Sequence, residues 1–389
     1  MVKAKKTAEK ELPVEPVAVE DISEEVLDDG YLDIMEDKTV VIYAVGGTIA
    51  MKADENGALI PAVSGEDLTA AVPGLQDLCN IEVVNFSNVP SGAVTPKMML
   101  DLSKQIQKTL RRPEVSGVVV THGTDTLEET AYFLSISLSE KFQQEVFKPI
   151  VVTGAMRGAS SVGADGPANL LASVRVACHD VKEELPRVVV CLNDEIHVAA
   201  RVTKTHSGNC ATFASPGWGP VGYVDEDCVY FRSGALQLDS GLNFPTPAKL
   251  TAKVDIVKAV TGDKGEFIDF CVERGADAIV VEGFGRGNVP FPMVPAIARA
   301  VKKGVVVAVA TRTHAGRVLD AYGYKGSVTD LLSVGAVMAG ETTAAKARLL
   351  LMYILSQKRA QELQKDDKER FRAYLQETLD PVLSERLFG

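Results

Sequence analysis

A chain of 389 residues that is 46% apolar can bury the cores of two ordinary domains, which excludes a disordered chain. Its 41 basic residues against 52 acidic ones leave a formal net charge of -11, which argues against nucleic acid as a partner, since phosphate binding rests on Lys and Arg. Six scattered cysteines without a CxxC pair, and five histidines without HExxH or other ligand spacing, suit reduced thiols in a cytoplasmic protein that binds no metal.

Residues 1–38 are rich in Lys, Glu and Pro and then acidic, as expected of a solvated arm with one short helix near Ser23–Leu27. Met1–Pro16 lacks the apolar segment of a signal peptide, and no later run is long enough to span a bilayer. Thr39–Val45 is the first strong element, a β-branched and apolar run suited to a strand covered on both faces. Gly46-Gly47-Thr48 follows as a tight turn with a hydroxyl on its far side. Open α/β sheets bind ligands at the carboxyl ends of their strands, so Thr48 is a candidate nucleophile. Read alone, Gly-Gly-Thr is equally a plain strand-to-loop turn.

Lys52–Gly57 reads as a polar loop that could act as a lid. A helix is expected over Gly65–Ala71 and a strand over Ile81–Phe86, which runs into the turn-rich stretch Ser87–Pro96. Met98–Leu110 has helical apolar spacing, and Val115–Thr121 is the third strand. It leads into His122-Gly123-Thr124-Asp125-Thr126. Thr126 and Glu129 are spaced as a capping box for a helix over Leu127–Leu138. Capping needs one hydroxyl, however, and this strand end offers more polar groups than that. Pro149–Thr153 and Arg187–Leu192 are further strands, with Asp165 and Pro167 marking a helix start between them. Lys204 lies in a hairpin-like stretch where a lone lysine is ordinarily a surface charge.

Ser233–Pro247 turns rich in Ser, Gly and Pro, as a domain boundary would. Beyond it, strands over Val254–Val260, Ala278–Glu282 and Val305–Ala310 alternate with helices over Phe267–Arg274 and Val294–Lys303. Such alternation implies parallel sheets with helices on both faces. Thr343–Leu355 is a helix, and Leu363, Phe371, Leu375 and Leu379 give the charged tail a helical apolar stripe. The expected fold is α/β: a larger N-terminal parallel-sheet domain over 39–232 and a smaller, flavodoxin-like C-terminal domain over 251–356. The arm over 1–38, a linker over 233–250 and a helical tail over 357–389 complete it.

Several motifs then fall in order along the chain: Gly46–Ala50, His122–Thr126, Ala164–Asn169, Val202–Thr205, Gly285-x-Gly-Asn288 and the Lys346-Ala-Arg348 helix. Together, over roughly residues 39–356, they resemble bacterial-type L-asparaginases, the threonine amidohydrolases of the asparaginase/glutaminase family. The resemblance implies that Thr48 attacks the side-chain amide of asparagine, with Thr124, Lys204 and Asp125 as a second hydroxyl–amine–carboxylate group. Ser91 would hold the α-carboxylate, Asp125 would face the ammonium, and Gly47, Thr124 and Asn288 would also touch substrate. It implies L-asparagine, and possible use of L-glutamine, without a cofactor, in a homotetramer built as a dimer of dimers. Three departures from the pattern stand out. No tyrosine occurs over Asn56–Pro61, where the family often has one. No glutamate occurs over Gly316–Tyr324, where a neighbouring copy often contributes one, although Tyr322 or Tyr324 offers a hydroxyl there. Gly92 replaces a common Gln or Ser. They leave two other readings, a non-catalytic amino-acid-binding or sensing protein and an amidotransferase component that supplies ammonia. The short acidic arm counts against the second of these.

Overall fold

The computed structural model describes residues 38–53, 59–61, 64–138, 142, 145–179, 186–232 and 246–380. The expected helix near Ser23, most of the expected lid loop and most of the expected boundary stretch lie outside these residues.

The chain builds β1 (Thr39–Gly46), the short pair β2 (Met51–Ala53) and β3 (Leu59–Pro61), α1 (Gly65–Ala70), β4 (Asn80–Val89) and α2 (Pro96–Leu110). Next come β5 (Val115–Thr121), α3 (Leu127–Ser137), β6 (Ile150–Thr153), α4 (Gly166–Cys178), β7 (Val188–Leu192) and β8 (Glu195–Val198). Two small pairs follow, β9 (Thr203–Lys204) with β10 (Phe213–Ala214), and β11 (Gly222–Asp225) with β12 (Cys228–Phe231). The large sheet has the order β12-β11-β8-β7-β6-β5-β1-β4. Its strands from β4 through β1, β5 and β6 to β7 are parallel, and β8, β11 and β12 extend it antiparallel at one edge.

Alternation along β1 explains its uniform apolarity, because successive side chains point to opposite faces of the sheet. Val40 and Ile42 pack toward α4 and the α1 region, against Leu170, Val174, Leu68 and Leu75. Val41, Tyr43 and Val45 pack on the other face against Leu102 and Ile106 of α2 and Leu127 and Leu134 of α3. Capping sets the helix starts, at Gly65 for α1 as expected and at Pro96 for α2, two residues before the expected Met98: Ser64 accepts the Asp67 N–H and Thr95 accepts the Met98 N–H.

The smaller C-terminal domain is an all-parallel sheet in the order β13 (Val254–Lys258), β14 (Ala278–Gly283), β15 (Val306–Thr311), β16 (Val337–Met338). One face is covered by α5 (Glu266–Glu273), α6 (Val294–Lys302) and α7 (Val328–Ser333). The other is covered by α8 (Ala344–Leu355), whose Leu350 and Tyr353 also meet Phe133 and Ile136 of α3. Phe133 and Tyr353 meet edge to face, with ring centroids 6.0 Å apart at 75°. Thus α3 and α8 form one shared layer between the two sheets.

The tail forms α9 (Lys358–Asp366) and α10 (Lys368–Leu379), and its apolar stripe docks on the C-terminal domain. Phe371, Leu375 and Leu379 are buried in that shared core. Gln376 closes the free edge of β16: its carbonyl accepts the Met338 N–H at 2.8 Å and its amide donates to the Met338 carbonyl at 3.2 Å. Among the described residues no helix is long and apolar enough to cross a membrane.

Candidate active site

Three strand ends and the turns beyond them converge at one edge of the large sheet. β1 lies between β4 and β5, with Ala44 opposite Thr121 and Gly46 opposite Val89. Gly46 and Gly47 have φ of 123° and 89°, a region that L side chains rarely enter. A β-carbon on Gly47 would stand 2.2 Å from the Gly123 α-carbon, and one on Gly123 would stand 2.7 Å from the Ser91 β-carbon. Only bare backbone fits between these turns. Thr48, directly after Gly47, opens a single 3₁₀ turn whose Ile49 and Ala50 are buried, while Thr48 itself is half-buried.

Asp165 ties down the loop after β6, although not as a helix cap. Its carboxylate accepts the Met156 and Arg157 N–H groups, both at 2.9 Å, and the Asn169 amide at 3.2 Å. The helix it precedes packs Gly166 against Ile49. Thr126 also departs from its expected capping role. Its hydroxyl donates to the Ser91 carbonyl at 2.9 Å and makes no cap bond, so the hydroxyl ties the β5–α3 turn to the β4 turn. Ser91 itself is buried.

Lys204 arrives from β9 and crosses to the β5–α3 turn. Its ammonium donates to the Thr124 hydroxyl at 2.9 Å and to the Asp125 carboxylate at 2.6 Å. The Lys204 side chain is 15% exposed, whereas that of Asp125 is 76% exposed. The Thr124–Lys204 half is therefore sheltered, and the ion pair opens to solvent and gains little by itself. A cleft of about 320 Å³ opens beside the pair, lined by Asp125, Lys204, Thr205, His206 and Ser207.

Two further residues shape this corner: Glu128, which does not stand out in the sequence, and His122, which opens the His122–Thr126 motif without a role of its own in that reading. Glu128, in the first turn of α3, accepts the Thr203 hydroxyl at 2.7 Å and the Lys204 N–H at 2.6 Å. That carboxylate fastens the lysine strand to the helix that carries Thr124 and Asp125. In sequence it is hidden, because an acidic residue in a first helical turn is the ordinary partner of the helix dipole. His122 is buried, with Nδ1 2.8 Å from the Gly123 carbonyl and Nε2 2.9 Å from the Thr130 hydroxyl. A carbonyl only accepts, so Nδ1 carries the proton and Thr130 donates to Nε2. Burial pushes His122 down to about 4, which keeps the ring neutral at pH 7. The Gly123 carbonyl is held toward the ring, and the Thr124 N–H on the same trans peptide points the opposite way.

Asn288 is not brought to this corner within the chain. It sits in the glycine turn after β14, where its side-chain oxygen accepts the Val328 N–H at 3.3 Å. It lines a separate pocket of about 390 Å³ with Arg286, Thr313, Arg317, Tyr322 and Tyr324. The two tyrosines are exposed, with ring centroids 5.6 Å apart.

The model of the asparaginase N-terminal domain matches residues 39–237, and that of the glutaminase/asparaginase C-terminal domain matches residues 253–366. The L-asparaginase of Bacillus licheniformis is 36% identical over 322 residues, which cover 82% of this chain and 96% of that protein. A component of the glutamyl-tRNA(Gln) amidotransferase of Pyrococcus horikoshii is 32% identical over 326 residues, 81% of this chain and 72% of that protein. The crystal structure of a probable cytoplasmic L-asparaginase from Campylobacter jejuni aligns with a TM-score of 0.74 at 32% identity, covering 88% of this chain and 99% of that one. The chain belongs to the asparaginase family.

Proposed function

We propose that this protein hydrolyses the side-chain amide of L-asparagine, releasing ammonia and then L-aspartate. The observation that carries the reading is the Lys204 ammonium within 2.9 Å of the Thr124 hydroxyl and 2.6 Å of Asp125, beside the Gly47–Gly123 contact. In this reading the Thr48 oxygen attacks the amide carbon and its proton passes to the departing nitrogen, which leaves as ammonia. A water then attacks the acyl-threonine, and its proton returns to the Thr48 oxygen as aspartate departs. Thr124 and Lys204 relay protons, since an alcohol is a weak nucleophile without a base at hand. The Thr124 N–H, turned away from His122, serves the developing oxyanion; one such donor is worth roughly 10²–10³ in kcat. Ser91 takes the α-carboxylate and Asp125 the ammonium. Gly47 lets the substrate approach the backbone.

Asn288 reaches substrate only if a second copy delivers its pocket to the cleft, which favours sites between protomers; the dimer of dimers itself is what the family resemblance implies. The pocket's exposed Tyr322 and Tyr324 would then supply hydroxyls where this chain lacks a lid tyrosine and a partner glutamate. The same reading takes the protein as cytoplasmic, as the Campylobacter relative's name has it, and places its domain boundary within 233–250. The test is ammonia release from asparagine by the purified protein, beside a double Thr48→Val, Thr124→Val variant. Wild-type release no greater than that of the variant defeats the reading. Tight aspartate binding without turnover would instead favour a sensor.

A second reading has one observation in its favour, the similarity to the Pyrococcus amidotransferase component. A component of that kind supplies ammonia to a partner, so it would co-purify with one and release little free ammonia alone. Initial rates on asparagine and glutamine by the isolated chain separate the two.

A further inference from the structure

Lys346 is a buried charge that the proposed reaction leaves unused. It lies on α8, in the C-terminal domain, yet it reaches into the N-terminal one. Its ammonium donates to the carbonyls of Ala199 at 3.2 Å, Ala200 at 3.2 Å and Val202 at 2.5 Å. An ammonium has three donors, and three acceptors converge on it. All three belong to the turn between β8 and β9, and Lys204 stands two residues beyond the last of them. Burial of such a charge is costly, and burial pulls Lys346 down to about 8 against the opposing pull of Glu128. An apolar side chain would fill the same space without that cost. The charge therefore does something packing alone does not.

The turn is held from other sides as well. Glu128 accepts the Thr203 hydroxyl and the Lys204 N–H. Arg201 pairs with Glu341 of the C-terminal domain, and its guanidinium lies 4.4 Å from the ring centre of Trp218. We propose that Lys346 is a positioning residue for Lys204: it closes the Ala199–Val202 turn on three carbonyls and so holds β9 where the Lys204 amine meets Thr124. The C-terminal domain thereby takes part in setting the catalytic geometry of the N-terminal one. This rests on the reading of Lys204 as the amine of an amide hydrolase.

Lys346→Met and Lys346→Gln are compared with wild type by asparagine kinetics, thermal melting and tryptophan emission. Trp218 is the chain's only tryptophan and stacks on Arg201, so its emission reports the turn directly. For Lys346→Met the expected result is a kcat lower by roughly tenfold or more, with KM within about threefold, and a shifted Trp218 emission. Lys346→Gln, which keeps two donors, falls between that variant and wild type, and it carries the comparison alone if Lys346→Met does not fold. Folded variants with wild-type kcat and unshifted emission overturn the proposal, as does a loss confined to KM. Wild-type ammonia release in the same assay leaves the hydrolase reading standing in that case. Its absence removes the hydrolase reading, and the role of Lys346 with it.

Discussion

At the residue scale the site is a matter of a few short contacts. Replacing Lys204 by Met removes the donor to both Thr124 and Asp125, and general acid–base roles of this kind are worth about 10²–10⁴ in rate. The expected outcome is a kcat drop in that range with KM little changed, measured by steady-state ammonia release. Gly47 permits a different prediction. A side chain there would meet the Gly123 backbone at 2.2 Å and adopt a φ of 89°, so Gly47→Ala should abolish activity and lower the melting temperature.

His122 makes stability depend on pH, and the sign follows from linkage. Its value is about 6.5 unfolded and about 4 folded, so between these the unfolded chain binds the extra proton. Stability is fully present above about 6.5 and is lost as pH falls toward 4, by roughly 3 kcal/mol in all. Urea titrations at pH 7 and pH 4 should show that loss, and His122→Asn, which keeps a donor for the Gly123 carbonyl, should reduce it. An unchanged pH dependence in the variant would exclude His122 as its source.

At the scale of elements, α3 does three jobs. Its preceding turn presents Thr124 and Asp125, its first turn holds β9 through Glu128, and its buried face packs on α8. Phe133, fully buried against Tyr353, anchors that packing. Phe133→Ala should cost about 3–5 kcal/mol of stability in urea, the usual range for emptying a buried aromatic site. A cost below about 1 kcal/mol would mean that the shared layer adds little. Thr126 shows how local spacing misleads: the Thr-x-x-Glu pattern is present, yet its hydroxyl serves Ser91. A capping box satisfies the helix by itself, whereas a neighbouring carbonyl at a crowded strand end needs a donor more.

At the scale of the whole molecule, one core joins the two sheets. Met99, Tyr132 and Phe133 of the N-terminal domain and Leu349, Tyr353 and Phe371 of the C-terminal side belong to the same buried cluster. Domains that share apolar surface of this kind unfold together, so calorimetry should show a single transition; two resolved transitions would contradict it. Removing the tail after residue 366 strips Phe371, Leu375 and Leu379 from that cluster and frees the edge of β16, so the truncated protein should melt lower and aggregate more readily.

The sequence alone determined the αβ alternation, the two sheets, the family and the helical stripe of the tail. These are set by local patterns: β-branched runs, glycine turns, caps and the four-residue spacing of Phe371, Leu375 and Leu379, close to one helical turn. It did not reveal the antiparallel extension of the large sheet, the part played by Glu128, or the reach of Lys346 across to the turn before Lys204. Those depend on groups far apart in the chain, 76 residues from Glu128 to Lys204 and 144 from Val202 to Lys346. Only tertiary structure decided them, because a charge finds its partners by where the backbone carries them and not by what stands next to it in the chain.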